Sequence, residues 1–295
     1  FARCNIGLQI VTPITGMTFT EDKELNQLGY GQEYQIKYTL DPVDATASLL
    51  TWTSDNPDMI SVDKTGKLKV HTTKAASAVI TASYGPVVQN VTVTVADGRF
   101  WYSLGNGLGN GLDNNWYLDG NNASVVSSDG NKTTVQMGSG YRGDLWLARS
   151  GKGKIVNVTP ADYRYFAIKV GFKSQLVPGK NKPNGCIKLE SFDDGIKKIG
   201  PEYFGTGGDA NNRYEILGAS EISTTEPNVL YYDLQSKYKT VTPTDWNQVF
   251  DLSQCKFVIA DFPETAQTYD LYWIRSFKSI EELQAFVDSE NNTNE

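Results

Sequence analysis

The 295-residue sequence contains a single histidine, His71, and only three cysteines, Cys4, Cys186 and Cys255. One histidine excludes a zinc site rich in His ligands, and a Ser-His-Asp hydrolase would have to use His71 itself. An odd number of cysteines argues against a disulfide framework, although a bridge between Cys186 and Cys255 stays open. No apolar run reaches the roughly 18 residues from which a membrane-spanning helix is read.

Positive charge is also scarce, with 27 Lys and Arg against 34 Asp and Glu and a net charge of −7. This balance excludes the phosphate-binding electrostatics of a typical nucleic-acid-binding protein. The glycine-rich stretch at 105–112 reads GNGLGNGL and lacks the G-x-G-x-x-G spacing, because Asn110 stands in the sixth place. We therefore expect neither a nucleic-acid partner nor a nucleotide cofactor.

Tyrosine, tryptophan and glycine are plentiful, with 16, 6 and 27 residues respectively, a composition that favours β-structure and turns. The length suggests two domains. The pattern along the chain predicts four parts, with a short hinge at 96–99: a leader at 1–9, a first β-domain at 10–97, a second at 98–288, and a disordered tail at 289–295.

The first β-domain carries its clearest signal between residues 38 and 70. A Trp-Thr-Ser run at 52–54 is followed by Asn-Pro at 56–57, Ser-Val at 61–62 and a Gly-Lys-Leu turn at 66–68. These features resemble the bacterial immunoglobulin-like domain type 2 (BIG2) over residues 10–96. The resemblance implies an Ig-like β-sandwich that serves as a spacer or adhesion module on bacterial surfaces. Trp52 is expected in its core.

The second domain is predicted from alternating apolar residues and from a helical pattern near its end. Ser279 and Glu282 have the spacing of a capping box, so a helix is expected over 279–288 as a lid or plug on the β-domain. Eight short strands without interleaved helices indicate a β-sandwich, most simply a jelly roll. They are expected at 125–126, 133–137, 144–148, 165–172, 187–190, 229–234, 257–261 and 269–275.

Four segments of the second domain resemble a family of uncharacterised Bacteroides domains, the DUF4979 type: 98–102, 114–117, 165–170 and 269–283. The resemblance covers residues 98–288. It implies a galactose-binding-like jelly roll similar to carbohydrate-binding modules, on a surface protein of a glycan-utilisation system. It also implies a polysaccharide or oligosaccharide partner, contact with outer-membrane transport proteins, and a monomer at the surface of a Gram-negative outer membrane. A lipid anchor at Cys4 or upstream is an open alternative.

Sugar-binding sandwiches place aromatic rings against sugar faces and use short polar or charged side chains for the hydroxyl groups. Three loop clusters carry such residues, and we expect ligand contacts from Trp116, from Tyr141, Arg142, Asp144 and Trp146, and from Tyr203, Asp209, Asn211 and Arg213. Trp116 has a second interpretation as a cap on the end of the sandwich. Trp146 alternates with leucines, so it could face the core instead.

Other functions of the second domain are weighed against glycan binding. A glycosidase would need two carboxylates about 5–9 Å apart, and the candidates are Glu190, Asp193, Glu202, Asp209 and Glu215. Any acidic chain offers such pairs, so we expect a non-catalytic protein, with protein adhesion as the main alternative. Asp193 and Asp194 could bind a structural Ca²⁺, although an Asp-Gly turn explains them as well. The metal content is left open.

Overall fold

The structure is a computed structural model of the 295-residue chain, and it is described here for the following residues: 10–109, 116–118, 123–138, 143–148, 156–176, 178–179, 187–193, 196–199, 214–235, 250–252, 254–259, 262–263 and 268–292.

The chain divides into two compact units. The first comprises the chain up to Leu28 together with Gln32–Thr72 and Ala76–Val95. The second comprises Gly29–Gly31, Thr73–Ala75 and the chain from Ala96 onward. Each unit is built from antiparallel strands, and one α-helix occurs among the described residues. The all-β prediction is therefore confirmed.

The first unit consists of short strands with alternating burial. β1 pairs with β4, β5 with β8, β8 with β9, and β7 with both β3 and β6. Two 3-10 turns, Lys23–Asn26 and Ala47–Leu49, connect strands. The strands are β1 (Gly16–Phe19), β2 (Leu28–Tyr30), β3 (Glu33–Gln35), β4 (Tyr38–Asp41), β5 (Thr51–Ser54), β6 (Ile60–Val62), β7 (Lys67–Val70), β8 (Ala76–Tyr84) and β9 (Val87–Ser103).

Trp52 lies in the core of the first unit, as predicted. It is 8% exposed, and its ring stacks on Phe19 with 5.8 Å between centroids. The hairpin at 63–67 explains why the sequence pattern has a glycine at position 66. Gly66 has φ +82°, and a Cβ there would come within 2.6 Å of the Trp52 ring. Asp63 closes this turn by accepting hydrogen bonds from the amides of Thr65 and Lys67 at 2.7 and 3.0 Å.

The predicted hinge at 96–99 lies where the chain passes from the first unit to the second, between Val95 and Ala96. These residues lie inside β9, whose first part belongs to the first unit and whose last part belongs to the second. Gly98 has φ +66°, so the strand uses a conformation that favours glycine at this position. The backbone at the predicted hinge is therefore part of a strand.

The second unit contains a larger and a smaller sheet. The larger sheet has the order β18-β19-β15-β22, and β22 also pairs with β12 and with the end of β9. The smaller sheet has the order β10-β13-β21-β16-β17. The strands are β10 (Tyr117–Leu118), β11 (Ser124–Ser128), β12 (Thr133–Gln136), β13 (Gly143–Ala148), β14 (Val156–Val158), β15 (Tyr165–Phe172), β16 (Ile187–Asp193), β17 (Ile196–Ile199), β18 (Glu215–Ile216), β19 (Asn228–Asp233), β20 (Phe250–Leu252), β21 (Gln254–Ile259) and β22 (Thr268–Phe277).

The core of the second unit forms where the two sheets pack face to face. Phe166 from β15 stacks on Phe257 from β21 with 5.4 Å between centroids. Phe100 meets Phe166 edge-on at 4.7 Å. Phe166 and Phe257 are completely buried, so the two sheets form a β-sandwich with an apolar interior.

A single helix, α1 (Ile280–Asn292), follows β22 and packs on the face of the larger sheet that points away from this core. Ser279 caps it, because its hydroxyl accepts the amide of Glu282 at 3.2 Å. Leu283 is completely buried on the sheet. The predicted helix and its docking are confirmed, but the helix continues to Asn292, so residues 289–292 are helical where a disordered tail was predicted.

Among the described residues, no helix combines the length and the apolar character needed to cross a membrane.

Candidate functional site

The structure corrects the prediction for Trp116. Its side chain is completely buried and packs on Phe257 at 5.6 Å, inside the sandwich. A ring covered on every side has no face for a sugar, so the alternative interpretation of Trp116 as a structural residue holds. Its indole Nε1 has no hydrogen-bond partner among the described residues.

Two further predicted residues lie on β13. Asp144 is 5% exposed, so its carboxylate is buried in the sheet and not on an exposed loop as expected. Burial raises the pKa of the nearby Tyr269, and the charge of Asp144 raises it further. Trp146 is half-buried, which leaves its predicted role open. The other predicted contacts lie outside the described residues and stay predictions: Tyr141, Arg142, Tyr203, Asp209, Asn211 and Arg213.

The described residues bring a different group of side chains together, on the face of the larger sheet that carries α1. We call this the outer face. A β-bulge in β22 adds one residue to this face. Lys169 pairs with Trp273 and Val170 pairs with Leu271, so Tyr272 is an extra residue between them. Leu271 therefore points into the core, while Tyr272 and Trp273 both lie on the outer face.

A groove of about 720 Å³ runs along this face. Strands β9, β15 and β22 form its floor, and the last turn of α1 and two loops form its walls. We call it the outer-face groove, and it is lined by Ser103, Gly130, Asn131, Lys169, Glu226, Pro227, Tyr272, Trp273, Arg275, Glu290 and Asn291.

Glu290 on α1 organises the polar part of the groove. Its Oε2 accepts hydrogen bonds from the Trp273 indole Nε1 and from the Lys169 Nζ, both at 3.1 Å. Its Oε1 lies 3.7 Å from Arg275 Nη1. The side chains of Lys169, Glu290 and Arg275 are 16%, 23% and 15% exposed. The three charged groups are therefore accessible from the groove while they pair with one another.

Aromatic rings hold Arg275 in place. Its guanidinium carbon lies 4.4 Å from the ring centroids of both Trp101 and Phe286, and 5.3 Å from that of Trp273. Phe286 belongs to α1, so the helix and the sheet clamp the cation from two sides. Arg275 is therefore restrained by ring contacts on several sides.

Tyr272 is the half-buried aromatic residue of the groove. The Lys169 Nζ lies 5.7 Å from its ring centroid. A Cβ added to Gly171 would lie 3.6 Å from Tyr272 and 3.5 Å from Asp270, so both side chains flank this glycine on the sheet. Tyr272 thus lies next to charged groups and is only half-buried.

Asp270 lies beside Tyr272 and is almost completely buried. Its Oδ2 accepts hydrogen bonds from Lys132 and Lys173, both at 2.8 Å, and its Oδ1 accepts one from the Thr134 hydroxyl at 2.7 Å. Burial acts to raise the pKa of Asp270, but these hydrogen bonds outweigh it and lower the pKa to about 2. We call Asp270, Lys132 and Lys173 the two-lysine cluster.

Sequence reasoning missed this face. It assigned 269–275 to a strand without separating the two faces, and Trp273, at 3% exposure, is buried on the outer face beside α1. A signal was nevertheless present, because the adjacent Tyr272 and Trp273 break the alternation between Leu271 and Ile274. Two consecutive aromatic residues in an otherwise alternating strand are the pattern that a bulge produces.

The remaining candidate residues are those that could bind a metal ion or transfer a proton. Within the described ranges, no group of three or more His, Cys, Asp or Glu side chains is arranged to hold a metal ion. His71 lies in the first unit, where its Nε2 is 2.7 Å from the Ser61 hydroxyl. Asp194 lies outside the described residues, so the Ca²⁺ expectation stays a prediction.

Comparison with known proteins gives one family match. The model of a domain of unknown function, DUF4979, matches residues 107–283, more than half of the chain. No curated protein matches the sequence.

Two solved structures show weak similarity. One comes from work on the promiscuous specificity of carbohydrate-binding modules of the β-sandwich superfamily; it is 10% identical, with 90% of this chain and 100% of that chain covered, and a TM-score of 0.31. The other contains the CBM51-2 and INT domains of Clostridium perfringens ZmpB; it is 12% identical, with 88% and 48% covered and a TM-score of 0.18. Similarity at this level does not assign a ligand. The family match, by contrast, agrees with the resemblance read from the sequence: the chain belongs to the DUF4979 family.

Proposed function

We propose that the outer-face groove binds a glycan without catalysing its cleavage. The observation that carries the proposal is the half-buried Tyr272, which lies in a groove between fixed hydrogen-bonding groups. A sugar ring presents C–H groups on its faces and hydroxyl groups around its edge. An aromatic platform with polar side chains around it complements both.

The polar groups of the groove suit hydroxyl recognition. Lys169 and Arg275 donate hydrogen bonds, Glu290 accepts them, and the exposed Asn131 and Asn291 can do both. Ion pairs and ring contacts already hold three of these side chains in place. A ligand would therefore pay little conformational entropy for ordering them.

A hydrolytic role has less support. The groove contains two carboxylates, Glu226 and Glu290. Glu290 is engaged by Lys169 and Trp273, which favours a structural carboxylate over a general acid presented to a scissile bond. Of the acids considered from the sequence, only Glu215 has a described side chain. It is exposed on β18 and is not among the residues that line the groove.

The surrounding biology in this proposal rests on sequence resemblance. A BIG2-type spacer at residues 10–96 would carry the glycan-binding unit on the surface of a Gram-negative outer membrane, as part of a polysaccharide-utilisation system. Outer-membrane transport proteins would be its partners. Attachment through a lipid anchor, a monomeric state and a structural Ca²⁺ belong to the same set of proposals.

Protein adhesion is the second candidate, and the observation that favours it lies elsewhere in the second unit. Val125 and Val126 on β11 are 44% and 59% exposed. Among the described strands, β11 pairs only with β12. Adjacent exposed apolar residues are typical of protein contacts.

The test is a glycan-array and affinity-gel screen of the full chain, with and without EDTA. Binding to a polysaccharide class is expected, and Tyr272→Ala should weaken it at least tenfold. Tyr84→Ala, at a half-buried tyrosine of the first unit, is the matched control and should bind like the wild type. A folded protein that binds no glycan, or equal binding by the two variants, would overturn the proposal. Loss of binding in EDTA would identify a metal requirement.

A further inference from the structure

The two-lysine cluster places two ammonium groups on one buried carboxylate oxygen. Lys132 and Lys173 both lie 2.8 Å from Asp270 Oδ2. Because they share one oxygen, their nitrogen atoms can be separated by no more than the sum of these two distances. Two cations and one anion leave an excess positive charge within the cluster.

Exposure decides which charge a ligand meets. The side chain of Asp270 is 2% exposed, whereas those of Lys132 and Lys173 are 33% and 51% exposed. Thr134 occupies the second carboxylate oxygen of Asp270. The acid is therefore hidden under its partners, and the surface offered to solvent consists of the ammonium groups, each with donors left over after one bond to Asp270.

One further carboxylate lies near the cluster and offsets part of its positive charge. Asp129 is the other carboxylate whose charge acts on Lys132, and its Oδ1 accepts the amides of Asn131 and Lys132 at 2.9 Å each. The hydrogen bond to Asp270 is the largest effect on Lys132 and raises the pKa of its ammonium group. Lys132 and Asp270 accordingly keep their charges through the physiological pH range.

The two-lysine cluster lies next to Tyr272 and the outer-face groove. Gly171 lies between Asp270 and Tyr272 on the sheet, and the hairpin residues Gly130 and Asn131 line the groove immediately before Lys132. A sugar on Tyr272 would therefore carry its neighbouring substituents towards the two lysines.

We propose that the bound glycan is acidic, with a carboxylate or sulfate group that lies between Lys132 and Lys173 while a sugar ring contacts Tyr272. This inference rests on the proposed glycan-binding function. A chain with a net charge of −7 generally repels polyanions, so a site for one needs local cations that outnumber the carboxylate they contact. The two-lysine cluster supplies that arrangement.

The test compares polymers that differ in one anionic group. Polygalacturonate and its methyl ester separate carboxylate recognition from the neutral backbone, and dextran sulfate and dextran do the same for sulfate. We expect the wild-type chain to bind one anionic polymer at least tenfold more tightly than its neutral counterpart. The double variant Lys132→Gln/Lys173→Gln should lose most of this preference. Circular dichroism checks that it remains folded, because the buried Asp270 loses two of its three charged or hydroxyl hydrogen-bond partners.

A matched control removes the same charge elsewhere. Lys64→Gln/Lys69→Gln changes two exposed lysines of the first unit and should leave the preference intact. Equal binding within both polymer pairs, or equal losses in the two double variants, would overturn the acidic-glycan inference. If neutral glycans still bind through Tyr272, the proposed function survives that result. If no glycan binds at all, both proposals fall.

Discussion

The two faces of strands β15 and β22 share one backbone and differ in almost every other respect. The inner face presents Phe166, Ile168 and Ile274, each completely buried against the smaller sheet. The outer face carries Lys169 opposite Trp273 in the same pair of strands. Because side chains alternate along a strand, the same strand contributes to an apolar core on one face and to a charged groove on the other.

The faces also differ in how polar groups are handled. Within the described part of the inter-sheet core, Trp116 leaves its indole nitrogen without a hydrogen-bond partner. On the outer face, the indole of Trp273 donates to Glu290, and the buried Asp270 accepts from three side chains. Burial of a charged group is unfavourable unless the group is paired. The outer face therefore contains ion pairs, whereas the inner face contains apolar packing.

The largest effect on stability is expected when a large residue is removed from the inner face. Trp116→Ala should destabilise the second unit by about 3–5 kcal/mol, because it leaves a large cavity beside Phe257. Denaturant unfolding followed by fluorescence and circular dichroism measures this. A stable variant that has lost glycan binding would instead return Trp116 to the ligand-binding residues expected from the sequence.

The next largest effect concerns the buried acid of the outer face. Its pKa of about 2 lies below the ordinary value of 3.8, so the folded state favours the carboxylate form of Asp270. The stabilisation is fully present above about pH 4 and is lost as the pH falls towards 2. This corresponds to about 2 kcal/mol. Asp270→Asn should be destabilised by about this amount at pH 7 and should lack this part of the acid dependence.

Comparison of Asp270→Asn with the wild type is required because a second acid behaves similarly. Hydrogen bonds from the Tyr34 hydroxyl, the Glu24 amide and Lys37 lower the pKa of Asp22, in the first unit, to about 2. Unfolding curves at several pH values between 2 and 7 give the difference between the two proteins. A constant difference across this range would show that Asp270 does not titrate as described.

These two positions illustrate what the sequence could predict. Strand β15 was predicted with its observed bounds because Phe166, Ile168, Val170 and Phe172 alternate without interruption. Trp116 follows a stretch of Asn and Asp, which indicates an exposed loop, and only the packing of Phe257 from a distant strand shows that it is buried. Local pattern therefore identified elements, whereas burial depended on tertiary contacts.

The candidate site was harder to predict for the same reason. Lys132, Lys173 and Asp270 are separated by 41 to 138 positions in the sequence and meet only because β12 and β15 flank β22 on opposite sides. The helix pattern did predict docking of α1 on the β-domain. Its observed end at Asn292 was missed because polar residues after 288 resemble a frayed tail, although one of them, Glu290, binds two groups of the sheet.

A smaller effect is expected at that contact. Glu290→Gln keeps an acceptor for the Trp273 indole but removes the charge that pairs with Lys169 and Arg275. We expect a loss of about 1 kcal/mol, because the pairs are partly exposed. Thermal unfolding measures it, with Glu221→Gln at an exposed position of the same unit as the control. Equal stabilities of the two variants would remove Glu290 as a link between helix and sheet.

The smallest effect sharpens the role of Tyr272 itself. Tyr272→Phe keeps the ring and removes only the hydroxyl group, so a platform that acts by contact with sugar faces should lose at most about threefold in affinity, less than the net value of one hydrogen bond. Tyr272→Ala, which removes the ring, should lose far more. Titration of the best-binding polysaccharide with both variants measures the ratio. If the two variants lose affinity equally, the hydroxyl group is what the ligand recognises, and the outer face binds by hydrogen bonding where we have assigned it an aromatic platform.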